Sequence, residues 1–339
     1  VLALTTVAFC LFAGALAGCG GNDDSDVGAD VAGQSPSPAT VDQGTTDQGP
    51  DPADSDGNAG KNNPETEKGA DSGSANPPPQ DIQARLKGIG RGLAGQFGVV
   101  VSAPGGPGQP VLTGELATGP ALSTISLPIA QRVLEGGGGP SGVGEETRGQ
   151  INAAVSLSDT EATRALFSRL ASSEGGPEAA SEAVGQTLRA AGGGPAAISI
   201  SGDTGPGSGR GAWPLDAQSR YMAALAGGCV GDAATRRFLL AQMAPADGRE
   251  NYGLGSIGSG ARWTGGTGVG PAGNLLARQT GVLETTSGPV VVAMMVLPGD
   301  GSSETAEAML NDLTDGLVSR LNDHKLPRLP CPSGGGVTD

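Results

Sequence analysis

Between Lys87 and Lys325 the chain has no lysine, and its one histidine, His324, falls beyond the last predicted helix. The amines and imidazoles that enzymes use as proton acceptors near neutral pH are therefore missing from the whole middle of the protein. One His and four Cys scattered through 339 residues do not make a ligand cluster, so no metal centre is expected. Glycine is abundant, but Gly253-Leu254-Gly255 and Gly258-Ser259-Gly260 lack both the Walker pattern and the strand-to-helix context of a phosphate loop, and no cofactor is expected. Aromatic residues are only 3% of the chain, and Trp213 and Trp263 are read as core anchors rather than as the lining of a groove. The net charge is −15, which disfavours nucleic acid as a partner.

The first quarter differs from the rest. Residues 1–18 carry no charge and are nearly all apolar or small, a run of signal length that is marginal for a permanent span. They end in Leu16-Ala17-Gly18-Cys19, which resembles the lipobox of bacterial lipoproteins, where the Cys thiol is acylated and the signal removed just before it. The Lys/Arg segment that opens such signals is missing, so a truncated or misassigned start is expected. Residues 20–80 contain no aromatic, Leu, Ile or Met, and hold twelve Asp/Glu against two Lys, a balance of −10. Such a stretch cannot form a core; it reads as a disordered tether of about 45 Å average span and about 200 Å at full stretch. The chain thus divides into a signal peptide (1–18), a lipidated Cys19 with its acidic tether (19–80), one globular domain (81–326) and a tail (327–339). The expected location is the outer face of the cell membrane. Two cysteines remain after Cys10 in the signal and Cys19 at the anchor. In an exported protein, Cys229 and Cys331 favour a disulfide, with two free buried thiols as the alternative.

In the globular part, Ile82, Leu86 and Ile89 at helical spacing after Pro79 predict an opening helix. The apolar runs 97–101 and 111–113 flank SAPGGPGQP and predict a β-hairpin. A helix follows over 123–134 with Pro128 inside it. Residues 145–190 read as helical in two or three pieces, broken near Ser158 and at Gly175-Gly176-Pro177, and further helices are expected near 215–225 and 233–243. Strands return at 252–257, 262–264, 275–283 and 290–297, separated by Gly-rich turns and so antiparallel to their neighbours. A closing helix over 303–321 carries Ala306, Met309, Leu310, Leu313, Leu317 and Leu321 on one face. No internal repeat is present, and the layout is α+β.

Three short motifs in this order resemble those of the serine β-lactamase and DD-peptidase-like superfamily, in particular divergent lipoproteins of actinobacterial envelopes. Ser123-Thr124-Ile125-Ser126 resembles S-x-x-K, with Ser123 at the acylated nucleophile and Ser126 where the lysine belongs. Ser158-Asp159-Thr160 resembles S-D-N, with Thr160 in place of the Asn that binds the substrate amide. Thr264-Gly265-Gly266-Thr267 resembles K-T-G on a late strand, with Thr264 at the lysine position. The resemblance covers roughly residues 83–322 and implies an antiparallel sheet of about five strands, flanking N- and C-terminal helices, and an all-helical subdomain. It also implies an oxyanion hole from the backbone N–H groups of Ser123 and Thr267. Arg262 lies two residues before Thr264, on the same strand face, and offers positive charge for a carboxylate but no base. Outside the resemblance, Ser123 reads as a helix N-cap, and Ser158 or Asp159 as the cap of the helix that follows.

A serine hydroxyl at 126 or a threonine at 264 cannot accept a proton as an amine does, and losing one general base typically costs about 10² to 10⁴ in rate. Glu174, Glu178 and Glu182 are candidate bases only by proximity to the second motif and read as a solvated helix face. The expectation is a lipid-anchored envelope protein whose β-lactamase-like domain binds a ligand or partner, peptidoglycan or another envelope protein, without hydrolysis. The alternatives are a weak serine hydrolase using Ser123 and a structural spacer domain. If Cys19 carries the anchor, Cys19→Ala expressed in an actinobacterial host takes up no labelled palmitate and moves from the membrane to the soluble fraction. Unchanged partition of the variant would remove the lipid from this picture.

Overall fold

The computed structural model describes residues 80–331, apart from 107, 109, 194–211, 245–250, 271, 323–325 and 327. The signal, most of the tether and the end of the tail lie outside the described residues. Helix α1 (Gln80–Gly90) begins where the apolar spacing predicted and buries Ile82 and Leu86. Strands β1 (Gly95–Ser102) and β2 (Val111–Gly114) form the expected antiparallel hairpin. A three-residue strand, β3 (Thr118–Pro120), then leads into a 3-10 turn, Leu122–Ile125, and helix α2 (Ser126–Gly136). Pro128 sits in the first turn of α2, where a missing N–H breaks no helical bond.

The helical middle comprises α3 (Glu145–Ser156), α4 (Thr160–Glu174) and α5 (Pro177–Ala190), with breaks where the sequence placed them. Gly175 ends α4 at φ 91°, a left-handed conformation that glycine adopts without cost, and Pro177 opens α5 with its ring already at the helical φ. Strand β4 (Ala212–Pro214) pairs with β3 in a two-stranded sheet the sequence did not reveal, and helices α6 (Leu215–Gly227) and α7 (Ala233–Gln242) follow. Asp232 caps α7 by accepting from the backbone N–H of Ala234 and Thr235 at 2.8 and 2.9 Å. Eight of the eleven residues of α2 are buried. It is the central post of the helical layer, against which α3, α4, α5 and α7 pack.

Residues 252–257 are not a strand. They enter a 3-10 segment, Gly253–Gly260, whose backbone donors are taken by side chains from elsewhere: Gly253 N–H by Asn311 Oδ1 at 2.7 Å and Leu254 N–H by Gln279 Oε1 at 2.9 Å. With those groups occupied and Gly253 at φ 57°, no ladder can form there. Three long strands follow, β5 (Ala261–Val269), β6 (Leu275–Thr285) and β7 (Gly288–Pro298), and then α8 (Ser303–Leu321), capped by Ser302.

The main sheet is five-stranded and antiparallel throughout, in the order β2-β1-β7-β6-β5. Both faces are covered. Val99, Val101, Val292, Met294 and Val296 face a core completed by α1 and α8, while Val100, Leu276, Ala293 and Met295 face Leu122 and Leu215 on the opposite side. The domain is α+β, with the sheet between the terminal helices and the helical region.

Cys229 and Cys331 form a disulfide with Cα atoms 5.2 Å apart. It holds a C-terminal strap: Leu329 N–H donates to Pro104 O at 3.0 Å, Gly106 N–H to Leu329 O at 3.3 Å, and the Arg328 guanidinium to Gly227 O. The bridge closes a separation of 102 residues, and in the chain-entropy model a loop of that size stabilises by up to about 4 to 5 kcal/mol. Cys331→Ser is expected to lower the unfolding free energy in urea by about 2 to 5 kcal/mol, with reductant giving the same loss in the wild type. An unmoved urea midpoint in both cases would mean the strap contributes nothing.

Candidate functional site

The 3-10 turn before α2 presents Ser123. Leu122 adopts φ 48°, one of two non-glycine residues among those described with positive φ, and its buried side chain packs against Gly268 of β5. A leucine there costs on the order of 1 kcal/mol or more, and packing on both sides holds it. Ser123 lies inside the turn and caps neither helical segment; the caps are Ala121 and Ile125. Its side chain is half-buried and its hydroxyl has no hydrogen-bond partner among the described residues.

The other non-glycine residue with positive φ is Ser158 (φ 58°), in the turn between α3 and α4. Its hydroxyl donates to the carbonyl of Gly265 on β5. Asp159 is the cap of α4, accepting from Ala162 N–H at 2.9 Å, and Thr160 is exposed at the first position of that helix. From β5, Thr264 is fully buried and its hydroxyl donates to Val155 O of α3 at 2.9 Å. Two hydrogen bonds therefore sew strand β5 to the α3–α4 turn.

The three segments meet at Gly266. A Cβ built there would stand 2.8 Å from Ser123 Oγ and 3.8 Å from Ser158 Cβ, so a side chain at 266 would force the Ser123 hydroxyl to move. The next residue, Thr267, is exposed, and Gly265 is buried beside Gln279 of β6. Arg262 faces the helical side, as alternation requires, but donates to Leu240 O of α7 at 3.2 Å. It lies four residues up the strand from Gly266, about 13 Å away. The structure thus brings Ser123, Ser158, Thr264, Gly265 and Gly266 together and sets Arg262 apart.

The side chains that meet at Gly266 carry no charge, and the Asp159 carboxylate beside Ser158 caps α4. Ser126 is fully buried one turn into α2 and its hydroxyl has no partner among the described residues. Neither lysine nor histidine occurs in the elements that build the site. Glu174 pairs with Arg132 at 3.1 Å and Glu182 with Arg189, while Glu178 is exposed in the first turn of α5. Glu174 closes the fifteen-residue α4, about 22 Å from the end that faces Ser123. Among the described residues no cluster of His, Cys, Asp or Glu could hold a metal ion.

Solved structures that match this fold include class A β-lactamases. A variant of the class A β-lactamase of the last common ancestor of Gram-negative bacteria aligns with a TM-score of 0.56 and 18% identity, over 72% of this chain and 99% of that one. The TLA-3 extended-spectrum β-lactamase aligns at 0.55 and 14%, over 72% and 99%. The β-lactamase of Desulfarculus baarsii aligns at 0.52 and 19%, over 71% and 97%. By sequence, no family model and no curated protein matches the chain. The domain has the β-lactamase-like fold; at these identities the likeness carries the fold alone, and activity has to be argued from the residues present.

Sequence reasoning did not find the two bonds that close β5 onto the helices, because each joins residues more than a hundred positions apart. It also missed Arg278, a lone cation inside the apolar run of β6 that is fully buried. Thr264→Val keeps the side-chain shape and leaves Val155 O without its donor; it should cost about 1 to 3 kcal/mol in urea unfolding. No loss would mean that the carbonyl finds another donor and that the seam is not structural.

Proposed function

We propose that this protein is a lipid-anchored component of the cell envelope whose β-lactamase-like domain binds a ligand or partner and does not hydrolyse. Peptidoglycan and other envelope proteins are the candidates that the location and the fold bring forward. One observation carries the reading: the two positions where the motifs require an amine are occupied by Ser126 and Thr264, both fully buried, in a site with no lysine or histidine. An amine at either place would accept the serine proton; a hydroxyl does not at neutral pH. The Thr264 hydroxyl is moreover committed to Val155 O.

A second reading, a weak serine hydrolase, draws on the strained Leu122 and the unpartnered Ser123 hydroxyl, features that present a nucleophile. Without a base such a serine would rely on water-mediated help from a distant carboxylate, and one general base is worth about 10² to 10⁴ in rate. Intact-mass measurement separates the two. The full chain and Ser123→Ala are each incubated with a penicillin and with a fluorophosphonate. The binding role predicts unchanged masses for both proteins, whereas an adduct on the wild type that the variant lacks would make the protein a serine hydrolase.

A further inference from the structure

Arg278 is a buried cation with no anionic partner among the described residues. It projects from the middle of β6 into the space between β3, β4 and α6, and is fully buried. Burial pulls its pKa down to about 9, so the guanidinium is still charged at neutral pH. Among the described residues no carboxylate pairs with it; Asp216 in the first turn of α6 is half exposed and pairs with Arg220 at 3.3 Å. Its partners are all neutral. Nε donates to Gln218 Oε1 at 2.7 Å, Nη1 to Gly119 O at 3.0 Å and Pro120 O at 2.9 Å, and Nη2 to Trp213 O at 2.8 Å.

The same spot holds too many donors. Of the five N–H groups of Arg278 four are used, which leaves one on Nη2. Gln218 Nε2 and Trp213 Nε1 are buried and have no acceptor among the described residues. Both belong to residues that already touch Arg278: the Gln218 amide by its oxygen, and the Trp213 ring with its centre 5.6 Å from the guanidinium carbon. Helix α6 starts here too, with Pro214 at its N-cap offering no side-chain acceptor, so the positive end of the helix adds to the field. A buried charge with no anionic partner among the described residues thus touches two residues, each of which carries a buried donor nitrogen without an acceptor.

We propose that Arg278, Gln218 and Trp213 form a built site for a small monoatomic anion, a halide, with chloride as the natural occupant. A buried water would accept from two of the donors but would leave the charge unanswered, and an isolated buried charge is far costlier than an unmade hydrogen bond. All three side chains are fully buried, which favours a small monoatomic anion over a larger oxyanion. The anion does more than neutralise. The same guanidinium holds the carbonyls of Gly119 and Pro120, the strand that delivers Ser123 three residues later, so halide occupancy stabilises the arm carrying the nucleophile position. The site is independent of whether Ser123 reacts.

The test is thermal unfolding of the full chain at constant ionic strength and pH, with chloride replaced stepwise by gluconate, an anion too large to enter. Above the dissociation constant, each tenfold increase in chloride should raise Tm by roughly 3 to 5 °C. In Trp213→Phe, which keeps the ring and the backbone carbonyl but removes one donor, the chloride increment should shrink. Crystals soaked in bromide should show an anomalous peak within hydrogen-bonding distance of Arg278 Nη2 and Gln218 Nε2. Identical midpoints in chloride and gluconate would overturn the proposal, as would a chloride increment unchanged in Trp213→Phe or a bromide-soaked crystal with no peak at the cluster.

Discussion

Burial of both faces of one antiparallel sheet is the constraint from which the rest of the domain follows. Antiparallel sheets often leave one face to water and then show a clean alternation of apolar and polar residues. Here β1 and β7 run apolar on both faces, and successive residues feed different cores: Val99 and Val101 to the layer under α1 and α8, Val100 to the layer that holds Leu122. The two-residue period thus fixes which helix covers which side. It also sets the position of Ser123, because the turn that carries it is packed by Leu122 onto the inner face of the sheet and against Gly268 at the edge strand.

The site brings Ser123, Ser158 and Gly266 together in elements that hold neither lysine nor histidine. In the arrangement that the motifs imply, an amine between nucleophile and edge strand would bridge the two halves electrostatically; in this chain neutral hydrogen bonds from Ser158 to Gly265 and from Thr264 to Val155 hold the seam. Such bonds are short-ranged and directional, and the donor spends its proton on a backbone carbonyl. The seam is therefore a structural joint at the place where chemistry would require a free base. Hydroxyls in those positions are poor proton acceptors near neutral pH.

Long amphipathic elements were legible from the residues alone. Helix α8 covers the span that its apolar stripe marked, and the breaks at Ser158 and Gly175-Gly176-Pro177 separate α3, α4 and α5. These readings rest on local causes: a repeating face, a capping carboxylate, a glycine free to turn left-handed. Residues 252–257 look like a strand because Tyr252, Leu254 and Ile257 are β-formers and buried or partly so, yet Asn311 and Gln279 take the backbone donors and bend the segment into a 3-10 turn. The β3–β4 pair is three residues on each side, too short for any periodic signal, and exists because Arg278 and the sheet beneath it hold the two segments together.

The sequence by itself determined the α+β layout, the order of the three motifs, the two cysteines left for a disulfide and the lysine-free stretch between Lys87 and Lys325, since each depends on residue type or on spacing within one element. Only the tertiary structure decided that Ser123, Ser158 and Gly266 share one point, that Arg262 is turned toward α7, and that Arg278 stands buried among donors. These are relations between groups far apart in the chain, set by how layers pack, and no local pattern encodes the distance between them.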